Sequence, residues 1–358
     1  MNDMKYALIG CGRISKNHLS AAIDNGLRVE ALCDINPAAM DFLAASLDLK
    51  QVRKYTDYRE MLAKEALDLI AITTKSSHHA ATALDCINAG VNLIIEKPIA
   101  LSLADADAII AASAEKNIKV CSCHQNRFNK AIQKVRSAVE SGALGQMMYA
   151  AAAIRWSRSR EYYEQAAWRG TWAEDGGTLM NQCIHNIDLL RWMMGDEISE
   201  VFAYTDQLVH NYIEGEDFGI ALVKFAKGGY GTIEGTSTVY PADLEETLCL
   251  FGTDGTVKIG GKSLNIIDHW QVKGSDDTAE SLLEHFSEQP ADIYGFGHLP
   301  LYKDMIEAIR DDRKPYVDAV DGRNVIELVL AIYKSAAEGK PIKLPISNVA
   351  TIDFKGRF

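Results

Sequence analysis

The sequence predicts an α/β protein with two domains: an N-terminal doubly wound parallel sheet, and a C-terminal α/β domain with a large, mostly antiparallel sheet. The 358 residues are long enough to form two cores. Strands alternate with helices of 10–15 residues over positions 4–124, which is typical of βαβ units. Beyond about Met148 the strands are longer, and Lys227-Gly228-Gly229 and Asp254-Gly255 indicate hairpin turns between them. The expected domains are therefore 1–124 and 125–358.

Composition excludes several function classes. The net charge of −12 argues against nucleic acid or an anionic membrane as a partner. Apolar runs such as Leu93–Ile95 are too short to span a bilayer, and no signal peptide precedes the first strand, so a cytoplasmic location is expected. The seven cysteines match no zinc spacing. We expect reduced thiols and no metal.

The first domain reads as strands followed by helices. Asn36-Pro37 is a good N-cap and first-turn pair, and further helices should begin near Asp57, Ser77 and Ser102. The predicted strands are Met4–Ile9, Arg28–Cys33, Leu67–Thr73, Val91–Ile95 and Lys119–Cys123.

A glycine-rich turn after the first strand predicts a dinucleotide site. The run Gly10-Cys11-Gly12-Arg13-Ile14-Ser15 has a small serine where the third glycine of such motifs stands, and it opens a helix whose N-terminus can take a pyrophosphate. Asp34 follows the second strand, 22 residues after Gly12, where an acidic side chain can accept both ribose hydroxyls. This carboxylate would repel a 2′-phosphate, so NAD is favoured over NADP, with Arg13 the one hint the other way. We expect a Rossmann domain with Gly10, Gly12, Arg13, Ile14 and Asp34 at the cofactor.

Two more strand ends carry polar side chains. Thr74 and His79 lie in the segment after the Leu67–Thr73 strand, and Glu96-Lys97-Pro98 follows Val91–Ile95. Ligands of such sheets bind at the carboxyl ends of the strands, so this rim should face the nicotinamide.

The second domain should contain a sheet with one apolar face, which helices or another subunit must cover. A homo-oligomer joined through that sheet is therefore plausible. Two late helices are expected at about Leu301–Arg310 and Arg323–Glu338. The predicted strands are Tyr149–Arg155, Val201–His210, Phe218–Phe225, Tyr230–Tyr240, Thr247–Phe251, Val257–Ile259 and Leu264–Lys273.

The densest chemistry lies between the first two of these strands. A helix expected to start near Asn181 would place Asn181, His185 and Asp188 on one polar face, because they are spaced i, i+4 and i+7. Upstream runs a stretch rich in arginine and aromatic residues. Its candidates for substrate binding, with Gln182, are Arg155, Tyr163, Trp168 and Arg169, beside further arginines at 158 and 160.

Together these motifs resemble the Gfo/Idh/MocA family of NAD(P)-dependent oxidoreductases over essentially the whole chain. The resemblance rests on the glycine turn, Glu96-Lys97-Pro98 and Gly176-Gly177 followed by His185 and Asp188. It implies a dimer or tetramer, and it implies that Lys97 and His185 are catalytic.

Two positions depart from the family pattern. Thr74-Lys75-Ser76 replaces a common Thr-Pro turn, and Asn181 stands where many sugar and inositol dehydrogenases have aspartate. The Tyr162-Tyr163 and Trp168–Trp172 elements look most like the branch of UDP-N-acetylglucosaminuronate 3-dehydrogenases. An anionic nucleotide sugar would suit the arginines of an otherwise acidic protein.

The resulting expectation is hydride transfer between a sugar secondary alcohol and the nicotinamide, in a cleft between the domains. Because an unperturbed histidine titrates near neutral pH, His185 can act as a base, while Lys97 can stabilise the alkoxide and Asn181 can orient the hydroxyl. Two alternatives stay open at this point. One is a dehydrogenase of inositol, a polyol or a free hexose, and the other is a non-enzymatic NAD-sensing regulator on the same fold.

Overall fold

The structure, a computed structural model, describes residues 3–195, 197–289 and 294–358. The chain divides into two compact units, which are considered separately below. The first comprises residues 3–124 and 298–323 of the described chain, and the second comprises 125–297 and 324–358. The first unit ends at residue 124, where the sequence also places a boundary, and residues 298–323, expected in the second domain, are part of the first unit.

The first unit is built on a six-stranded parallel sheet. Its order is β3-β2-β1-β4-β5-β6, which is a doubly wound arrangement that reverses at β1. The strands are β1 (Lys5–Ile9), β2 (Arg28–Cys33), β3 (Arg53–Tyr55), β4 (Leu69–Ile72), β5 (Asn92–Ile95) and β6 (Val120–Ser122). The helices between them are α1 (Ser15–Asp24), α2 (Pro37–Ser46), α3 (Tyr58–Lys64), α4 (His79–Asn88) and α5 (Leu103–Lys116).

Local sequence signals explain these helix starts. The side chains of Asn36, Asp57 and Ser102 each cap a helix by accepting a hydrogen bond from the backbone N–H two or three residues on. The strands β1, β4, β5 and β6 of the sheet behind them are buried on both faces, as their continuous apolar sequences predict.

The second unit carries an eight-stranded mixed sheet of order β13-β12-β11-β7-β10-β9-β8-β14. Neighbouring strands are antiparallel except β7 and β10, which are parallel. The strands are β7 (Met147–Arg155), β8 (Ile198–Asp206), β9 (Phe218–Phe225), β10 (Tyr230–Thr236), β11 (Glu245–Gly252), β12 (Gly255–Gly260), β13 (Ile266–Val272) and β14 (Ile342–Lys343). The helices of the rest of the chain are α6 (Lys130–Glu140), α7 (Arg160–Glu164), α8 (Thr178–Asn181), α9 (Ile184–Met194), α10 (Ala279–Phe286), α11 (His298–Arg310) and α12 (Ala319–Glu338).

Two predicted strands end four residues earlier than expected. The prediction of Val201–His210 is wrong beyond Asp206, because the backbone N–H groups of residues 208–210 donate to the buried carboxylate of Asp217 at 2.7–2.8 Å and not to a neighbouring strand. The predicted strand Tyr230–Tyr240 likewise ends at Thr236.

Two further observations concern the cysteines and the apolar character of the helices. All seven cysteines are free thiols, and six of them are buried. Among the described residues, no helix combines the length and apolar character that crossing a membrane requires.

Candidate functional site

The glycine turn of the first unit has the shape that a dinucleotide needs. Gly10 has φ +98°, and a Cβ there would lie 2.7 Å from the backbone of Thr73, so only glycine fits. Gly12 is exposed, and a Cβ on it would meet nothing within 4 Å, which leaves room for a phosphate. Ser15 is buried and its hydroxyl donates to the Gly12 carbonyl at 2.5 Å, which shows how serine replaces the third glycine. The residues present therefore fit a bound pyrophosphate.

Asp34 is fixed beside this turn. One carboxylate oxygen accepts from the Cys11 backbone N–H at 2.7 Å, and the other accepts from Asn36 N–H at 2.8 Å. A carboxylate oxygen has two lone-pair sites, so each retains capacity for a ribose hydroxyl. The acidic side chain stands at the end of β2, as expected.

His79 and Thr74 belong to one hydrogen-bonded junction. His79 is buried, with Nδ1 2.8 Å from the Pro98 carbonyl and Nε2 3.0 Å from the Thr74 carbonyl. The histidine thus joins the segment after β4 to the segment after β5 that contains Lys97. Through these two contacts His79 can hold the segments after β4 and β5 in position.

Glu96 is buried, whereas Lys97 is half-buried. Burial alone would raise the pKa of Glu96, but the hydrogen bond from His18 Nε2 at 2.8 Å and the attraction of the His298 ring hold it well below its ordinary value. Glu96 is therefore a buried carboxylate that faces inward, and its other oxygen accepts from the Lys97 backbone N–H at 3.2 Å. That contact fixes the backbone from which the lysine side chain leaves.

In the second unit the helix with His185 is broken. The prediction of one helix starting near Asn181 is wrong: α8 ends at Asn181 and α9 begins at Ile184. The N–H groups of Gln182 and Cys183 both return to the Thr178 carbonyl, which turns the chain, and the Cys183 carbonyl then opens α9. Asn181 and His185 thus lie on separate helices.

Asp188 is held by a buried ion pair with Arg127. Its carboxylate accepts two bonds from the guanidinium of Arg127 at 2.7 and 2.6 Å, and both side chains are only about 1% exposed. This buried pair anchors α9 to the segment that precedes α6.

The position of the family aspartate is filled differently here. The side-chain amide of Asn181 donates to Asp175, whose other oxygen accepts from Gly170 N–H at 2.6 Å. Asp175 is buried and lies in the turn before α8. A carboxylate therefore stands next to the Asn181 amide, at a residue that the sequence analysis did not single out.

A second missed residue holds α8. The glycine before it, Gly177, has φ +95°, and a Cβ there would lie 2.1 Å from Glu216 Oε2. Glu216 Oε1 accepts from Leu179 N–H and from the Tyr333 hydroxyl, both at 2.7 Å. Burial raises the pKa of Glu216 to about 8, although these two bonds oppose the shift. No local motif marks this residue, because its partners come from distant segments.

The four predicted or neighbouring arginines differ in their partners. Arg155 is already paired with Glu234 and Glu245 on adjacent strands, so the structure does not bring it into an anion site. Arg160 is exposed and pairs with Glu164. Arg158 is nearly buried, pairs with Asp243 at 3.0 Å and donates to Gln182 at 3.1 Å.

Arg169 has no carboxylate within ion-pair distance in the described part of the chain. Its guanidinium stacks on the rings of Tyr162 and Trp168, at 4.3 and 4.7 Å, and donates to the Tyr162 hydroxyl. That hydroxyl also accepts from Gln182 Nε2 at 2.8 Å. Tyr163 packs edge-on against Tyr162 and is buried, with its hydroxyl 3.1 Å from Ser237. Three of the predicted substrate residues, Trp168, Arg169 and Gln182, thus lie together with Arg158 and Tyr162. We call these five residues the Arg169 cluster.

Both domains of the chain match models of one protein family. Residues 4–124 match an oxidoreductase-family profile described as an NAD-binding Rossmann fold, and residues 136–344 match the C-terminal alpha/beta domain of the same family. The WlbA dehydrogenase from Bordetella pertussis, solved with NADH and UDP-GlcNAcA, is 34% identical with a TM-score of 0.90 over 97% of this chain and 99% of its own. The enzyme of that name from Chromobacterium violaceum, solved with the same two ligands, is 32% identical with a TM-score of 0.88 over 97% of this chain and 98% of its own.

More distant relatives act on other sugars and polyols. D-apiose dehydrogenase from Paraburkholderia graminis is 27% identical over 95% of this chain and 89% of its own length. Myo-inositol 2-dehydrogenase from Thermotoga maritima is 25% identical over 95% and 98%. The protein is thus an NAD-dependent dehydrogenase of a sugar-like small molecule. The chain belongs to the Gfo/Idh/MocA family of oxidoreductases.

Proposed function

We propose that the enzyme oxidises the 3-hydroxyl of a nucleotide sugar of the UDP-N-acetylglucosaminuronate type. The observation that carries this proposal is the uncompensated charge of Arg169 in an acidic protein with a net charge of −12. A neutral polyol or free hexose has no anion for that charge, whereas a uronate diphosphate has several.

The surroundings of Arg169 suit an anion. The side chain is half-buried, and its Nε is buried without a hydrogen-bond partner in the described part of the chain. A buried donor left unpaired costs about 1–3 kcal/mol, so a ligand oxygen there would recover that free energy. The guanidinium is also held flat by Tyr162 and Trp168, which prepares it for bidentate contact with a carboxylate or phosphate.

The Arg169 cluster is connected to the residues of the reaction through Gln182. This residue bonds Tyr162 and Arg158 and lies between α8, which ends at Asn181, and α9, which carries His185. An anion bound at Arg169 would therefore be held at a fixed position relative to α9, the helix that carries the candidate base His185. Binding of the substrate's anionic group would thus help to position its hydroxyl for the reaction.

Lys97 and His185 are the proposed catalytic residues. When bound, NAD accepts the hydride from the carbinol carbon. His185 would take the hydroxyl proton, and the Lys97 ammonium would stabilise the developing alkoxide. Asn181 would orient the hydroxyl, and Asp175 fixes the side-chain amide of Asn181 by accepting a hydrogen bond from its nitrogen.

Oxidation of a neutral inositol or aldose is the alternative, and the names of the relatives at 25–27% identity support it. The two possibilities differ in their need for Arg169. We therefore test wild type and Arg169→Ala with NAD and three substrates: UDP-N-acetylglucosaminuronate, myo-inositol and D-apiose.

We expect NADH absorbance to rise only with the nucleotide sugar, in single-turnover experiments as well as in the steady state. Loss of charge-assisted bonds worth about 1.5–3 kcal/mol should raise the KM of Arg169→Ala for that substrate by about tenfold or more. The matched control is Arg160→Ala, since Arg160 is exposed and paired outside the cluster. Turnover of inositol or apiose that Arg169→Ala leaves intact would overturn the proposal.

We further propose that the enzyme is a homo-oligomer joined through the outer face of its eight-stranded sheet. Apolar side chains of three adjacent strands are exposed on that face, among them Tyr204 on β8, Leu222 on β9 and Tyr230 on β10, each about 60% exposed. Such a contiguous patch is unusual for a monomer surface.

A further inference from the structure

Four potential metal ligands meet inside the first unit. His18 comes from α1, Glu96 from the end of β5, Cys123 from just after β6, and His298 from the first position of α11. One ligand atom of each lies within 4.8 Å of the others, and all four residues are buried. We call this group the His18–His298 cluster.

Contacts within the His18–His298 cluster are close to those of a tetrahedral zinc site. His18 Nε2 is 2.8 Å from Glu96 Oε1 and 3.9 Å from Cys123 Sγ, while His298 Nε2 is 3.8 Å from Glu96 Oε1. Zinc–ligand lengths of about 2.0–2.3 Å require ligand atoms about 3.3–3.6 Å apart. Each of these three distances thus needs to change by about half an ångström or less.

His298 supplies an independent reason to expect a ligand. His298 is only 3% exposed, yet neither ring nitrogen makes a hydrogen bond within the described residues. Buried polar atoms without partners are rare, and an unseen ion is one of their ordinary explanations. The ring faces the His18 imidazole edge-on at 4.9 Å, which keeps Nε2 directed at the cluster.

The other ring nitrogen of His18 is also held in place by a hydrogen-bond partner. His18 Nδ1 is 2.9 Å from the Tyr302 hydroxyl, which in turn is 2.8 Å from the Tyr6 hydroxyl. Metal-bound histidines nearly always use their other nitrogen in this way, because the bond fixes the ring and its tautomer.

From these observations we propose that the His18–His298 cluster is a structural zinc site. Binding of Zn²⁺ displaces the Cys123 thiol proton to solvent, and the His18 proton resides on Nδ1, from where it donates to Tyr302. The Cys123 thiolate and the Glu96 carboxylate then balance the two positive charges of the ion. Zinc ligated in this way ties α11, and with it the returning segment 298–323, to α1 and to the strand ends of the sheet.

The test uses the full-length enzyme, stripped of metal with a chelator and then given ZnCl2 or CoCl2. We expect one zinc per chain by mass spectrometry of metals, a higher melting temperature with zinc, and a thiolate-to-cobalt charge-transfer band. Cys123→Ser and His298→Gln should each weaken zinc binding at least tenfold. Cys86→Ser is the matched control, since Cys86 is a buried thiol of the same unit on α4.

Absence of the cobalt–thiolate band in the wild-type enzyme would overturn the assignment, whatever the variants do. Equal zinc binding by Cys123→Ser and Cys86→Ser would also overturn it, because the metal would then lie elsewhere. These readouts need no substrate, so they are separate from the test of the proposed function.

Discussion

Replacing Glu216 with glutamine should remove part of the pH dependence of stability. Glu216 is fully buried, and burial raises its pKa from an ordinary value of 4.5 to about 8. Between these two values the folded chain holds a proton that the unfolded chain releases. The contribution of Glu216 is therefore complete below about pH 4.5 and is lost progressively as the pH rises towards 8.

The magnitude follows from the size of this shift. One pH unit corresponds to about 1.4 kcal/mol for a single proton, so the loss between pH 4.5 and pH 7 is about 3 kcal/mol. Glutamine is uncharged at every pH, and its amide oxygen can still accept from Leu179 N–H and the Tyr333 hydroxyl. The stability of Glu216→Gln relative to wild type should thus increase by about 3 kcal/mol over this interval.

Tryptophan fluorescence is a suitable probe for this measurement. All five tryptophans lie in the second unit, and Trp172 packs edge-on against Tyr333, the partner of Glu216. Urea unfolding would be followed at several pH values between 4.5 and 8. Glu246, also buried with its pKa raised to about 8, is unchanged in the variant, so its effect cancels in the difference. A difference between variant and wild type that stays constant across this range would refute the reasoning.

Three further predictions follow from other contacts. Asp188→Asn should destabilise the second unit by about 3–5 kcal/mol because it leaves Arg127 charged in the core, and an unchanged urea midpoint would contradict this. Leu222→Lys should shift the enzyme to a smaller species in light scattering, since it places charge on the exposed sheet face, and an unaltered mass would argue against that interface. Asp34→Ala should weaken NAD binding about tenfold or more in calorimetry, because the ribose loses its acceptor, and undiminished affinity would reject the assignment.

Much of the first unit could be read from the sequence because its signals are local. A strand that ends in Gly10 and Gly12, a capping Asn36 and an acidic residue after β2 are each defined within a few residues. The short strand β3 had no comparable signal, since three exposed or half-buried residues show no apolar pattern.

The second unit was less predictable because its key contacts join distant segments. The pairing of Arg127 with Asp188 spans 61 residues, and that of Glu216 with Tyr333 spans 117. The i, i+4 and i+7 spacing assumed one continuous helix, but the turn at Gln182 and Cys183 divides it into α8 and α9. Residue type likewise did not distinguish Arg155 from Arg169. Arg155 is paired with two glutamates, whereas Arg169 has no carboxylate partner in the described part of the chain.

The measurement that tests the central claim most directly is NADH formation with UDP-N-acetylglucosaminuronate by wild type, Lys97→Met and His185→Asn. NAD binding, followed in parallel by calorimetry, serves as the control for folding. The account predicts that the wild-type enzyme reduces NAD, and that both variants bind NAD normally but lose hydride transfer by about a hundredfold or more. Near-normal turnover by both variants, or no turnover of this substrate by the wild-type enzyme, would contradict it.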